Sequence, residues 1–180
     1  MLIGIAGYAQ TGKDEFYKAV QAIYPKVRRL SFGDAVKKDC QAFIDSKFPG
    51  MIDVINNTEH KKIWRKFLVG WGDCSRSTDK QTWIRRLVRD NLTALNRQDN
   101  DFILTDVRYL NEGEWTVYEK NGCLVRLHRD GVGPANDTEA ATIAEIDGSD
   151  MPRFDLYNDG RDVKAYHAQC LALFREVKGL

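Results

Sequence analysis

The chain has 180 residues, with 27 basic and 26 acidic side chains and a formal net charge of +1. This length suits one domain with a sizeable core, and the balanced charge gives no global field for nucleic acid or an anionic membrane. The four cysteines are widely spaced without a CxxC pair, which argues against structural zinc and favours reduced thiols. No signal peptide and no apolar run of about 20 residues is visible. We therefore expect a soluble cytoplasmic protein whose anion site, if any, is local.

The N-terminal segment joins an apolar run to a glycine-rich loop. Residues 2–6 (Leu-Ile-Gly-Ile-Ala) predict a buried strand, and a helical pattern begins at Lys13. Between them, residues 7–14 read Gly-Tyr-Ala-Gln-Thr-Gly-Lys-Asp, which fits the phosphate-binding pattern of Gly, four residues and Gly-Lys. Glycines allow successive N–H groups to point at an anion, and the helix start and the lysine add positive charge. The pattern predicts phosphate binding by Gly7, Ala9, Gln10, Thr11, Gly12, Lys13 and Asp14. The alternative is a glycine-rich turn that joins strand and helix by chance.

Asp14 occupies the position at which this loop usually has Ser or Thr. The usual hydroxyl ligates Mg²⁺ directly. A carboxylate can ligate the ion too, or hold it through water, but it repels the phosphates unless a metal intervenes. We therefore expect strict dependence on a divalent cation, with Asp14 among its ligands.

Strands and helices alternate along the rest of the chain. The patterns predict further strands at 27–32, 102–105, 123–128 and 154–157. They predict helices at about 12–24, 35–48, 78–95, 111–120, 139–145 and 162–178, and another that starts at Thr58 and is broken by 70–72 (Gly-Trp-Gly). Thr78 and Gln81 have capping-box spacing for the helix over 78–95. Such alternation implies an α/β domain of three layers, with a parallel sheet of about five strands covered by helices on both faces.

Charged residues follow several of the predicted strands. Asp34 follows the second strand, Asp106 and Arg108 the third, and Arg129 the fourth. Ligands of open parallel sheets bind beyond the carboxyl ends of the strands, so these side chains and Lys13 are candidates for one site. Carboxylates suit Mg²⁺, and arginines clamp phosphates. In the alternative interpretation Asp34 caps the following helix and Arg108 pairs with Glu112.

Six segments, in order over nearly the whole chain, carry a family resemblance. The most specific is 105–112, Thr-Asp-Val-Arg-Tyr-Leu-Asn-Glu, which is similar to an Asp-Val-Arg-Phe-x-Asn-Glu signature. The others are 7–14, 31–37 (Ser-Phe-Gly-Asp-Ala-Val-Lys), 72–76 followed by Trp83, 126–129 and 155–160. Together they resemble the phage-type deoxynucleoside monophosphate kinases. The chain departs from that family at three places. Ala35 and Val36 occupy the positions where Pro-Leu is preferred, Glu15 replaces a common Thr, and Asn136 replaces a His.

The resemblance implies a P-loop NTPase fold in a single domain over 1–180, with an acceptor-binding helical region at about 34–97 and a lid at about 130–150. It implies ATP as donor, Mg²⁺, and a deoxynucleoside monophosphate as acceptor. Catalytic roles fall to Lys13, Arg76, Asp106, Arg108 and Arg129. Acceptor contacts fall to Asp34, Lys37, Arg76, Trp83, Asp106, Arg108, Asn111 and Glu112. Asp14 and Asp106 are the expected metal ligands. The expected partners are small nucleotides, with neither nucleic acid nor membrane, in the host cytoplasm if the protein is phage-encoded; a homodimer is an open alternative.

Two other functions compete with this interpretation. One is another small-molecule P-loop kinase, such as a phosphomevalonate kinase, whose loop can also carry Gly-Lys-Asp. The other is a non-catalytic regulatory module in which bound ATP switches a partner interface. The arginines of the predicted helix over 78–95 suggest nucleic-acid contact, but the near-neutral charge argues against it.

Overall fold

A five-stranded sheet lies at the centre of the computed structural model, which describes residues 1–97 and 99–180. The strands are β1 Leu2–Ala6, β2 Arg28–Leu30, β3 Phe102–Val107, β4 Cys123–Arg129 and β5 Arg153–Asn158. They pair in the order β2-β3-β1-β4-β5, and every neighbouring pair is parallel. The first strand is central, and all five of its residues are buried. The predicted strand at residues 2–6 is therefore confirmed.

The helices are α1 Lys13–Ile23, α2 Phe32–Lys47, α3 Thr58–Ile63, α4 Arg65–Thr78, α5 Thr82–Leu95, α6 Leu110–Glu114, α7 Asp137–Asp147 and α8 Val163–Lys178. The chain continues from α6 through a π-helical turn, Trp115–Glu119. Successive side chains of a strand point to opposite faces. Ile3 and Ile5 pack in one cluster with Phe16 of α1 and Phe174 of α8. A side chain at Gly4 would meet Thr116 of the π-helical turn at 3.0 Å. The sheet is thus covered on both faces, which confirms the predicted three-layer α/β class.

The chain divides into two compact units. Unit 1 comprises residues 1–30 and 93–180 and contains the sheet with α1, α6, α7 and α8. Unit 2 comprises residues 31–92 and contains α2, α3, α4 and most of α5. Its own small core consists of Cys40, Ile44, Val54 and Leu68. The predicted binding role of the region over 34–97 stays a prediction.

One predicted helix break is wrong. Residues 70–72 do not end a helix, because α4 continues through them to Thr78. A glycine inside a helix costs about 1 kcal/mol relative to alanine. Packing within unit 2 offsets this cost, since Leu68 is buried in one cluster with Cys40 and the ring of Phe67 lies 5.3 Å from that of Phe43 in α2. Tertiary contacts therefore override the local signal.

The predicted cap at Thr78 is also wrong. Thr78 is the last residue of α4, and its hydroxyl donates to the carbonyl of Cys74 at 3.2 Å. The turn into α5 is held by Asp79, whose Oδ1 accepts a hydrogen bond from the N–H of Gln81 at 3.0 Å. Asp79 therefore orders the turn that precedes α5, and Thr78 takes no part in it.

The second strand is shorter than predicted, and α2 begins at Phe32 instead of Ala35. Ser31 is consequently the N-cap residue of α2, and Asp34 lies in the first helical turn. The alternative in which Asp34 itself caps this helix is therefore wrong. A carboxylate in a first turn still interacts favourably with the helix dipole.

None of the helices within residues 1–97 and 99–180 has the length and apolar character needed to cross a membrane.

Candidate phosphate-binding site

At two positions in the loop between β1 and α1, the surrounding atoms leave room only for glycine. Gly12 adopts φ +110, in the left-handed region, and a Cβ there would lie 2.9 Å from Nδ2 of Asn158. At Gly7 a Cβ would lie 2.7 Å from the carbonyl oxygen of Leu127. Both glycines that define the phosphate-binding pattern are thus required by close contacts with other strands.

The lysine and a threonine of the loop bind its first carbonyl groups. Lys13 Nζ donates to the carbonyl oxygens of Gly7 at 2.7 Å and Tyr8 at 2.6 Å. The hydroxyl of Thr11 also donates to the Tyr8 carbonyl, at 2.9 Å. The side chain predicted to contact phosphates therefore lies against the loop in this structure.

Three side chains from the C-terminal half of the chain bind the next carbonyl groups. Arg129 Nη1, at the end of β4, donates to Gln10 O at 2.8 Å. Asn158 Nδ2, at the end of β5, donates to Thr11 O at 2.9 Å. The hydroxyl of Tyr166 in α8 donates to Gly12 O at 3.0 Å.

These contacts explain how the loop presents donors to a ligand. The N–H and C=O groups of a planar peptide unit point in opposite directions. Side-chain donors bind the carbonyls of five loop residues, namely Gly7, Tyr8, Gln10, Thr11 and Gly12. The N–H groups of such a loop are thereby directed away from these donors, in the arrangement that binds anions.

One loop amide already binds an oxygen anion. The N–H of Ala9 donates to Oε1 of Glu139 at 2.9 Å. Glu139 lies in the first turn of α7, whose N-cap residue Asn136 accepts a hydrogen bond from the Glu139 N–H at 2.9 Å. The contact shows that this position of the loop accepts a carboxylate.

The pKa of Lys13 is lowered from 10.5 to about 8, chiefly by burial and further by the positive charge of Arg108. The carboxylates of Glu139, Asp106 and Asp14 act in the opposite direction. All these groups belong to unit 1 and lie close enough to Lys13 to affect its charge. A phosphate at the loop would add negative charge and favour protonated Lys13.

The acidic residues suit a magnesium ion that arrives with phosphates. The described residues contain no group of three or more His, Cys, Asp or Glu side chains that could hold a metal ion. Mg²⁺ usually takes only one or two carboxylates together with phosphate oxygens. The exposed carboxylate of Asp14, 3.5 Å from Nε of Arg29, and that of half-buried Asp106 supply such oxygens. The donor chemistry therefore fits the predicted pair of ligands.

Glu112 holds the turn that follows β3. Its side chain is buried, and Oε2 accepts hydrogen bonds from the N–H groups of Arg108 at 2.8 Å and Tyr109 at 3.2 Å. The contact with Arg108 thus reaches its backbone, while the Arg108 side chain is exposed. Asn111 is half-buried in the first turn of α6. In this structure Glu112 has a positioning role, and its predicted acceptor contact stays untested.

The remaining predicted acceptor residues all belong to unit 2. Asp34 and Lys37 form an ion pair in the first turns of α2. Arg76 lies half-buried near the end of α4. Trp83 is 1% exposed and donates its indole N–H to Gly72 O at 3.1 Å. That environment gives Trp83 a packing role, and its contact with an acceptor stays a prediction.

Three residues of the site escaped the sequence interpretation. Asn158 ends a strand, so the same strand-end argument that selected Asp106 could have found it. Tyr166 gave no signal, because an aromatic residue at helical spacing reads as core. Glu139 resembled an ordinary helix-start residue, three positions after Asn136, and its contact with Ala9 spans 130 residues.

Two solved structures resemble the whole chain. Dephospho-CoA kinase from Campylobacter jejuni has a TM-score of 0.55 and 14% identity, covering 99% of this chain and 98% of that one. The Thermus thermophilus protein TT1252 has a TM-score of 0.50 and 14% identity, covering 97% of each chain. The chain has the fold of a P-loop kinase. Because the identity is low, this likeness concerns the fold alone. No family model and no curated protein matches the sequence.

The lowered pKa of Lys13 gives a direct spectroscopic prediction. The amine of Lys13 should titrate near pH 8, below the ordinary lysine pKa of 10.5, because burial and the positive charge of Arg108 both disfavour its charged form. Addition of inorganic triphosphate should raise that pKa, since the anion favours the charged amine. NMR of ¹³C-labelled lysine side chains measures both values, and Lys13→Met assigns the resonance. A Lys13 resonance that titrates near the ordinary lysine pKa of 10.5 would contradict this description.

The tyrosine of α8 gives a second prediction. Tyr166→Phe removes the hydroxyl that binds Gly12 O, so stability should fall by about 0.5–1.5 kcal/mol. Triphosphate should also bind more weakly, because the loop is held less firmly. Urea unfolding and calorimetry measure the two effects. Tyr157→Phe, at a side chain that is 63% exposed, serves as the matched control and should change neither. Equal behaviour of the two variants would show that the Tyr166 hydroxyl does not support the loop.

Proposed function

We propose that the protein is a kinase that uses ATP and Mg²⁺ to phosphorylate a deoxynucleoside monophosphate, giving the diphosphate and ADP. The observation that carries the proposal is the loop over 7–13. Side chains bind the carbonyls of five of its residues, and the N–H of Ala9 donates to a carboxylate. A P-loop kinase fold around this loop supports phosphoryl transfer as its use.

The proposed reaction needs no strong general base. An acceptor phosphate is already a nucleophile, so catalysis consists of alignment and neutralisation of charge. Lys13 Nζ, which donates to Gly7 O and Tyr8 O in this structure, would instead donate hydrogen bonds to phosphate oxygens. Mg²⁺ bound through Asp14 and Asp106 would offset the remaining negative charge on those oxygens. In this proposal the side chain of Arg108, which is exposed and whose charge acts on Lys13, would contact the transferring phosphoryl group.

The choice of acceptor rests on the family resemblance. Residues 105–112 carry its most specific motif, and they form the end of β3 and the turn into α6. Within this motif we assign direct contacts to Asp106, Arg108 and Asn111, whereas Glu112 acts through the backbone that it holds. We keep Asp34, Lys37, Arg76 and Trp83 as proposed acceptor residues, and Arg129 as a residue that faces the transferring phosphate.

A second candidate is a kinase for a different small molecule. The structural likeness to a dephospho-CoA kinase favours including dephospho-CoA among the acceptors tested. Phosphomevalonate tests the alternative raised by the Gly-Lys-Asp sequence. A regulatory module would bind ATP tightly and turn over none of these compounds.

An acceptor panel tests the proposal. ADP release from Mg-ATP is followed in a coupled assay with deoxy- and ribonucleoside monophosphates, dephospho-CoA and phosphomevalonate. Turnover should appear with at least one deoxynucleoside monophosphate and stop when EDTA removes the metal. Turnover with dephospho-CoA or phosphomevalonate alone would replace the proposed acceptor, and no turnover with any compound would refute a kinase function.

A pair of arginine variants then locates the chemistry. Arg108→Ala should lower kcat on the order of 10³-fold, the lower end of the range for an arginine that stabilises phosphoryl transfer. Arg85→Ala is the matched control, because Arg85 is exposed and pairs with Asp79 within unit 2. It should leave kcat unchanged. Similar rates for both variants would exclude Arg108 from the catalytic site.

A further inference from the structure

Glu139 connects the phosphate-binding loop to the segment before α7. Its Oε1 accepts the N–H of Ala9 at 2.9 Å, and its Oε2 accepts the N–H of Ala135 at 2.7 Å. One carboxylate thus joins two backbone segments that are distant in sequence. Ala9 and Ala135 are both exposed, so these hydrogen bonds form at the surface of unit 1.

The other end of α7 is fixed in the protein interior. Ile143 and Ile146 are buried, and Asp147 forms two hydrogen bonds with the buried guanidinium of Arg126, at 2.7 and 3.0 Å. Residues 133–138, by contrast, are all exposed. The hydrogen bond from the Ala9 N–H to Glu139 attaches the start of this helix to the loop.

A carboxylate and a phosphate interact with a loop amide in the same way. Each is an oxygen anion that accepts a hydrogen bond from N–H. The single N–H of Ala9 can donate a strong hydrogen bond to only one of them. Both anions also favour the protonated form of Lys13, whose pKa the charge of Glu139 raises. The two would repel each other if they were held side by side. Entry of a phosphate next to Ala9 therefore requires Glu139 to leave.

We propose that Glu139 is an intramolecular competitor for the phosphate-binding loop, displaced from Ala9 when the polyphosphate of a nucleotide binds. Displacement breaks the link between the loop and Ala135, so that the start of α7 is released from Ala9 as the phosphates enter. The inference rests on the proposed function only in requiring that the loop bind a polyphosphate, and it holds for any acceptor.

Calorimetry with inorganic triphosphate tests the competition, because this probe carries no base or sugar. Glu139→Gln should bind triphosphate about tenfold more tightly than the original chain, since a neutral amide competes less well than a charged carboxylate for the Ala9 N–H. Asp137→Asn is the matched control, because it removes one exposed charge from the same helical turn. It should change the affinity by about twofold or less, as expected for an exposed charge.

Glu139→Asp separates position from charge. It keeps the carboxylate but shortens the side chain by one methylene, so the two amides can no longer be reached together. Tighter triphosphate binding by this variant supports displacement from Ala9. If only Glu139→Gln binds triphosphate more tightly and Glu139→Asp binds it as the original chain does, loss of the negative charge alone explains the higher affinity. That result would overturn the proposal.

Amide NMR of the original chain gives an answer that does not depend on the folding of any variant. Addition of triphosphate should shift the N–H resonances of both Ala9 and Ala135, at the same ligand concentration. A shift of Ala9 while Ala135 stays unchanged would show that Glu139 is not displaced. Binding of triphosphate with no shift at Ala9 would refute the phosphate-binding loop itself, and with it the proposed function.

Discussion

The phosphate-binding loop depends on hydrogen bonds that its carbonyl groups receive from side chains. Lys13 and Thr11 bind the carbonyls at the start of the loop, and Arg129, Asn158 and Tyr166 bind those nearer α1. Ordering a loop costs conformational entropy, and here it also fixes Gln10 and Gly12 at positive φ. These hydrogen bonds offset that cost before a ligand binds, so the loop is already ordered for the proposed binding of an anion. The order of the loop and its proposed affinity for phosphate therefore have the same structural origin.

Sheet topology explains how an N-terminal loop obtains partners from the C-terminal half of the chain. β1 is central and pairs with β4, which pairs with β5 on its other side. The carboxyl ends of parallel strands meet at one edge, so Arg129 and Asn158 reach the loop that follows β1. Packing of α8 against α1 brings Tyr166 to Gly12. The site therefore requires nearly all of unit 1 to be folded.

Much of this architecture could be predicted from the sequence. The apolar strand, the glycines and Lys13 occur in one short segment, and Asp106 follows the mostly apolar residues 102–105. One error lies where contacts distant in sequence decide the outcome: packing of Leu68 with Cys40 and of Phe67 with Phe43 carries α4 through its glycines. The contact of Glu139 with Ala9 depends on where α7 docks, and no local pattern encodes that position. The glycine motif predicts an anion site, but it does not reveal which side chains hold the loop in shape.

The most direct test is a crystal structure of the protein with Mg²⁺ and a non-hydrolysable ATP analogue. The account predicts that phosphate oxygens accept hydrogen bonds from the N–H groups of residues 9–13. Lys13 Nζ should leave Gly7 O and Tyr8 O for the phosphates, while Arg129, Asn158 and Tyr166 keep their carbonyl partners. A nucleotide bound away from this loop, or a Lys13 that still binds both carbonyls beside bound phosphates, would contradict it.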